Sequence, residues 1–188
     1  MKHTVILFFI LLLLASCQQT KKSPAEKVTQ YYKGFDRGDF SKIREVMYDT
    51  LIIVSGDFVT PYSHESFNEF FKWDSIFRST YKIQGLKQEN EKVLVTIRSE
   101  SLKYKFLENN PLTTNFAISF TNGKISKIED LGSDTANWAL WQSKRDTLVN
   151  YIKKYRPELD GFINDMSMKG AQNYLKAIAH YQNQNRPD

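Results

Sequence analysis

The chain has 188 residues, 41% hydrophobic and 25% charged, which is enough for one domain with a core of its own. Ten Tyr, thirteen Phe and three Trp exclude a disordered chain and favour a packed core or a lined pocket. The single cysteine, Cys17, cannot close a disulfide within the chain. No CxxC or HExxH motif is present and His3, His64 and His180 are far apart, so neither a metal nor another cofactor is expected. The net charge of +5 comes from lysines spread among acids, without a helix-turn-helix or RNA-binding signature. Nucleic acid is therefore not an expected partner.

The first segment is a short start carrying Lys2, followed by the unbroken apolar run Val5–Leu14. As a helix this run spans about 15 Å, half of the ~30 Å hydrocarbon core of a bilayer, which suits a signal peptide better than a membrane span. Leu14-Ala15-Ser16-Cys17 follows. This stretch resembles the bacterial lipoprotein signal, whose box is Leu, two small residues and Cys. The resemblance implies cleavage before Cys17, acylation of its thiol and, usually, of its new amine. Two or three acyl chains hold a protein stably where one does not. The polar residues 17–23 then read as a tether. Gln rather than Asp at position 18 points to the outer membrane, facing the periplasm.

The folded part begins at Ser23-Pro24-Ala25-Glu26, an N-cap, a first-turn proline and a capping-box glutamate. Val28, Tyr31, Tyr32 and Phe35 follow at helical spacing. Asp39 is placed to cap a short second helix with Phe40, Ile43, Val46 and Met47 on its stripe. Leu51–Val54, the turn Ser55-Gly56-Asp57 and Phe58–Thr60 read as a hairpin, with Pro61 placing its second strand at an edge. A third helix starts after Ser63 and buries Phe67, Phe70, Phe71, Ile76 and Phe77. Strands are then expected at Thr80–Leu86, at Lys92–Phe106 as one long bent strand, at Thr113–Thr121 and at Lys124–Leu131. Asn122-Gly123 suits a type I′ turn between the last two. In the last strand Ile125 and Leu131 are expected on one face and Ile128 on the other. Residues 135–155 and a stretch from Leu159 to Tyr181 have helical spacing. Gly170 is a candidate interruption of the latter.

The order of elements, and the segments VTQYYKGFDRGDFSKIREVMYDT, LIIVSGDF, HESFNEFFKW and FAISFTNGKISKIEDL, resemble the nuclear-transport-factor-2-like (NTF2-like), SnoaL-like or cystatin-like superfamily. The resemblance covers residues 24–132. It implies an α+β fold in which a cone-shaped, curved antiparallel sheet is closed by N-terminal helices. Residues 133–182 are a helical extension, either packed on the domain or separate, and 183–188 are a frayed tail. The resemblance also implies a cavity inside the cone. Enzymes of the superfamily, among them isomerases, cyclases and dehydratases, use a buried Asp or His as base with Tyr or Asp donors. Other members only bind ligands or partners.

No catalytic pair carries over residue by residue. Asp57 and His64 are the only candidate bases, one in a turn and the other in a solvated first helical turn. Tyr31, Tyr62, Trp73, Arg98 and Tyr104 are candidate ligand-binding residues, with Asp36 and Tyr81 also placed to reach a cavity. In Lys92–Phe106, Arg98 and Tyr104 alternate onto the face opposite Val93, Val95 and Ile97. If that face lines the cone, Arg98 suits a carboxylate; if it is solvated, Arg98 pairs with Glu100 or a cross-strand acid. The Phe67–Phe77 stripe is read as core. The expected function is a non-catalytic envelope binding module for a small apolar or carboxylate ligand, an envelope protein or a second copy of the chain. The alternatives are an enzyme with an Asp or His base and a structural protein with a filled cone. For the anchor, we expect Cys17→Ser to abolish lipid labelling and release the protein from the membrane fraction. Unchanged labelling and fractionation would refute it.

Overall fold

Ser23 opens the first helix through a reciprocal cap. Its hydroxyl accepts the Glu26 N–H at 3.2 Å and the Glu26 carboxylate accepts the Ser23 N–H at 2.7 Å. The structure, a computed structural model, describes residues 22–184. Cys17, with the signal and nearly all of the tether, lies outside the described residues, as does the end of the tail. Helix α1 (Pro24–Arg37) stops at Gly38, whose φ of 64° is the left-handed conformation glycine tolerates. Asp39 then caps α2 (Phe40–Val46). A Cβ on Gly34 would lie 2.5 Å from Ile43 Cγ1, so glycine at this position lets α2 close onto α1.

Strands β1 (Met47–Ser55) and β2 (Phe58–Tyr62) form the expected hairpin, and α3 (His64–Ile76) follows, capped by Ser63. Then come β3 (Thr80–Glu89), β4 (Lys92–Glu100), the short helix α4 (Leu102–Phe106), β5 (Leu112–Thr121) and β6 (Lys124–Asp130). Asn122 and Gly123 both have positive φ, 50° and 73°, as a type I′ turn requires. The six-stranded sheet has the order β2-β1-β6-β5-β4-β3. It is not wholly antiparallel: β1 pairs with β6 in parallel, because the chain returns to the first strand after the meander has been laid down.

Two further expectations are corrected. Lys92–Phe106 is not one strand. Ser101 leaves the sheet and its hydroxyl caps α4 by accepting the Tyr104 N–H at 3.0 Å, while its own N–H donates to Asn110 Oδ1. Ile125 and Ile128 do not point to opposite faces. A register shift in the β5–β6 pair at Ser119/Phe120 brings both into the core.

The concave side of the sheet packs on α1, α2 and part of α3 through Val28, Ile43, Phe67, Val93, Ile97 and Ile118, all fully buried. A second core lies beyond α3. Trp73, Phe77, Phe106 and Leu107 pack there against Leu148 and Ile152 of α5 (Trp138–Tyr155), a 3-10 turn (Pro157–Leu159), and Ala171, Tyr174 and Ile178 of α6 (Met168–Gln184). The extension is thus packed on the domain. Gly170 lies in the first turn of α6 and does not interrupt a longer helix. Phe77 has no exposed surface and meets Tyr174 edge-on at 5.5 Å within this second core, while Phe70 packs against both cores. Phe77→Ala should lower unfolding stability by about 3–5 kcal/mol in denaturant titrations. A change below about 1 kcal/mol would mean that the second core contributes little to stability.

Candidate functional site

The period-two pattern of β4 decides what faces the cone. Val93, Val95, Ile97 and Ser99 are buried, and Ile97 and Ser99 line a cavity of about 320 Å³ between the sheet, α1 and α4. The cone is therefore not filled by its aromatic side chains. Its walls are aromatic: Tyr31, Tyr32 and Phe35 come from α1, Tyr81 from β3 and Phe116 from β5. Polar groups enter through Lys103 and Tyr104 of α4, Thr114 of β5 and Asp130 of β6. The extension adds Trp138 and Trp141. Trp141 lies 5.5 Å from Tyr104, ring to ring.

The candidates from the sequence separate accordingly. Tyr31 and Tyr104 line the cavity, Tyr104 from α4 rather than from a strand. Arg98 is on the outer face of β4, where it pairs with Glu100 at 2.6 Å, so the face assigned to the cone in the carboxylate reading is the opposite one. Tyr62 packs on Phe67 and Phe70 at the core's rim and does not line the cavity. Trp73 lies behind the wall in the second core. Asp57 is exposed in the β1–β2 turn. His64 is not solvated: it is half-buried, with Nε2 shut off from solvent and without a partner among the described residues. It does not reach the cavity. Asp36 accepts the Tyr81 N–H at 2.7 Å, joining α1 to β3. Among the described residues no cluster of three or more His, Cys, Asp or Glu is placed to hold a metal.

Three tyrosines, Tyr31, Tyr32 and Tyr104, line the cavity, and their hydroxyls have no hydrogen-bond partner among the described residues. Burial raises the pKa of each, so all three remain neutral donors; the Asp130 carboxylate adds to this at Tyr32 and Tyr104. Asp130 is held in place by the Gly132 N–H at 2.7 Å and the Ser55 hydroxyl at 3.3 Å. The Tyr81 hydroxyl is committed elsewhere. It donates to Asp74 Oδ2 at 2.9 Å, and Ser79 donates to Oδ1 at 2.9 Å. Burial raises the Asp74 pKa, and these two hydroxyls limit the rise.

Lys103 is the one cation on the cavity wall. Its ammonium lies 4.4 Å from the centre of the Trp73 ring, 5.2 Å from Phe77 and 5.3 Å from Tyr104. Burial pushes its pKa down to about 8, and the Asp74 charge opposes that shift. Asn109 links this corner to the extension. It accepts the Asn137 N–H at 2.7 Å and donates to the Asn137 carbonyl at 3.2 Å, and Asn137 caps α5 by accepting the Leu140 N–H at 3.0 Å. Trp138 and Trp141, in the first turn of α5, are thereby held over the cavity. Sequence reasoning missed Lys103, Asp130 and the two tryptophans as site residues. Only a correct face for β4 and a break at Ser101 would have exposed the first.

The sequence matches no family model and no curated protein. Solved structures do match. Bal32a, from a soil-derived mobile gene cassette, is 14% identical with a TM-score of 0.51, over 63% of this chain and 95% of that one. An NTF2-like protein of unknown function from Cytophaga hutchinsonii is 8% identical with a TM-score of 0.50, over 62% and 95%. The fold is NTF2-like. IdmH of Streptomyces antibioticus, a candidate polyketide cyclase, is 17% identical with a TM-score of 0.50, over 66% and 99%. These chains are covered almost entirely, so this NTF2-like chain carries about a third of its length in excess of them.

The Lys103 environment predicts a pH dependence. The folded state gives up the proton near pH 8 and the unfolded chain near 10.5, so the unfolded state binds more protons between those values. Stability conferred by this site is therefore lowest below pH 8 and rises from there to about 10.5. Relative to Lys103→Met, the wild type should gain about 1–3 kcal/mol over that window in denaturant titrations, the ring contacts moderating the effect. A constant difference between the two proteins would contradict the burial of this ammonium.

Proposed function

We propose that the chain is an envelope lipoprotein whose cone binds a small, flat, largely apolar molecule carrying a carbonyl oxygen. The observation that carries this reading is a set of three tyrosines, Tyr31, Tyr32 and Tyr104, that line an aromatic cavity of about 320 Å³ with hydroxyls lacking a partner among the described residues. Donors left unpaired at a cavity wall are satisfied by an acceptor on a ligand or by water, and only the ligand also replaces water on the rings. The charges favour a neutral carbonyl over a carboxylate. Asp130 on the wall and Asp74 behind it stand against the single cation Lys103, so an incoming anion meets more repulsion than attraction. The lipobox supports placement at the membrane.

A second reading is supported by Asp130. A carboxylate and tyrosine donors around one cavity are the groups needed to remove a proton next to a carbonyl and to hold the resulting enolate. This is the isomerase or cyclase alternative, with Asp130 in the role expected of Asp57 or His64.

Acetonaphthone, a flat aryl methyl ketone, separates the two. On the first reading it should quench the fluorescence of Trp138 and Trp141 saturably. Tyr32→Phe and Tyr104→Phe should each weaken binding about three- to ten-fold. On the second, its methyl protons should also exchange with deuterated water, and Asp130→Asn should abolish the exchange while leaving binding in place. No saturable quenching, or no effect of either tyrosine change, would remove both.

A further inference from the structure

In the ligand reading above Lys103 enters only as a charge, yet it is the most unusual side chain of the site. Among the described residues it makes no ion pair and no hydrogen bond. The nearby carboxylate, Asp74 of α3, is already satisfied by Tyr81 of β3 and Ser79. The other titratable groups around it are Tyr104 of α4 and Tyr81 of β3, both kept neutral by burial, and Asp130 of β6 on the same cavity wall. Its amine lies over the rings of Trp73, Phe77 and Tyr104, at the boundary between the second core and the cavity, and the residue lines the same cavity as Tyr31, Tyr32 and Tyr104. We propose that Lys103 is a covalent carbonyl-capturing residue that forms an imine with an aldehyde or ketone held in the cone. The proposal rests on the carbonyl-ligand reading.

The step needs only groups already present. The neutral amine of Lys103 attacks the carbonyl carbon, and the new C–N bond forms as the C=O π pair moves to oxygen. That oxygen takes a proton delivered through a tyrosine hydroxyl such as Tyr104, and the nitrogen loses one to solvent, giving a carbinolamine. Protonation of its hydroxyl and cleavage of the C–O bond release water. The nitrogen lone pair forms the C=N bond, and the resulting iminium nitrogen gives its proton back to solvent to leave the imine. Amine and carbonyl are consumed, imine and water are produced, and nothing is oxidised or reduced. A lysine that sheds its proton near pH 8 is neutral far more often at neutral pH than a surface lysine. The apolar surroundings that cause this also slow hydrolysis of the imine.

The full chain in detergent is incubated with naphthaldehyde, and any imine is reduced with cyanoborohydride to a stable secondary amine that peptide mapping locates. Label is expected at Lys103 in at least ten-fold excess over any other lysine. Its rate should rise through about pH 8. Lys103→Met should remove the excess while keeping the wild type's circular dichroism spectrum, the control for folding. In the wild type, label spread over surface lysines, or a rate that rises only in the ordinary lysine range, would overturn the proposal. If acetonaphthone binds but Lys103 is not labelled, this inference alone falls. If acetonaphthone does not bind, the carbonyl-ligand reading falls with it.

Discussion

Helix α3 has apolar surface on two sides, and the architecture follows from the need to cover both. Phe67 and Phe71 face the cone, whereas Trp73 and Phe77 face away from it. A sheet covers only one side of a helix, so the outward pair would otherwise be exposed to water. Each large aromatic side chain removed from water contributes about 1.5–3 kcal/mol, more than a marginal domain can lose lightly. The C-terminal helices cover that side, with Tyr174 edge-on to both Phe77 and Phe162. The extension is therefore a structural requirement of α3. Its position over the cavity follows from that packing together with the Asn109–Asn137 bonds.

Local signals in the sequence were strong where a single chemistry decides the backbone. Ser23 with Glu26, Asp39, Ser63 and Asn122-Gly123 all act as read, because each satisfies helix-end donors or a positive-φ turn from within a few residues. The α1 stripe of Val28, Tyr31 and Tyr32 is buried as its spacing implied. The fold class was legible because these signals occur in a characteristic order. The site was not. Alternation divides β4 into two faces, but both contain apolar residues, Val93, Val95 and Ile97 against Leu94. Which face meets the helices depends on elements far away in the chain. That choice displaced Arg98 outward and brought Ser99 inward.

Ser101 had a second effect on legibility. Continued alternation would place Lys103 and Tyr104 on opposite faces, whereas the short helix it caps turns both toward the cavity. Trp138 and Trp141 were hidden for a different reason. Their spacing marks a helix, and nothing local distinguishes a helix packing on a core from one whose first turn covers a pocket. Asp130 ends the last strand, where an Asp reads as an ordinary turn residue. Its place beside the cavity is set by Tyr32 and Tyr104, which are distant in sequence and come to it from α1 and α4.

The electrostatics of the corner depend on how Asp74 is satisfied. A buried carboxylate close to a buried ammonium ordinarily forms an ion pair, and each charge then neutralises the other. Here both carboxylate oxygens are occupied by hydroxyls, from Tyr81 and Ser79. Hydroxyl donors stabilise the charge without cancelling it, so Asp74 still acts on Lys103 at a distance while leaving its amine unbound. The aromatic rings around the amine offer the charged form a weaker substitute for water than a carboxylate would. The proton on Lys103 is consequently held loosely, at the edge of a cavity that the residue helps to line. Two hydroxyls on Asp74 thus determine whether this corner is a closed ion pair or an open reactive site.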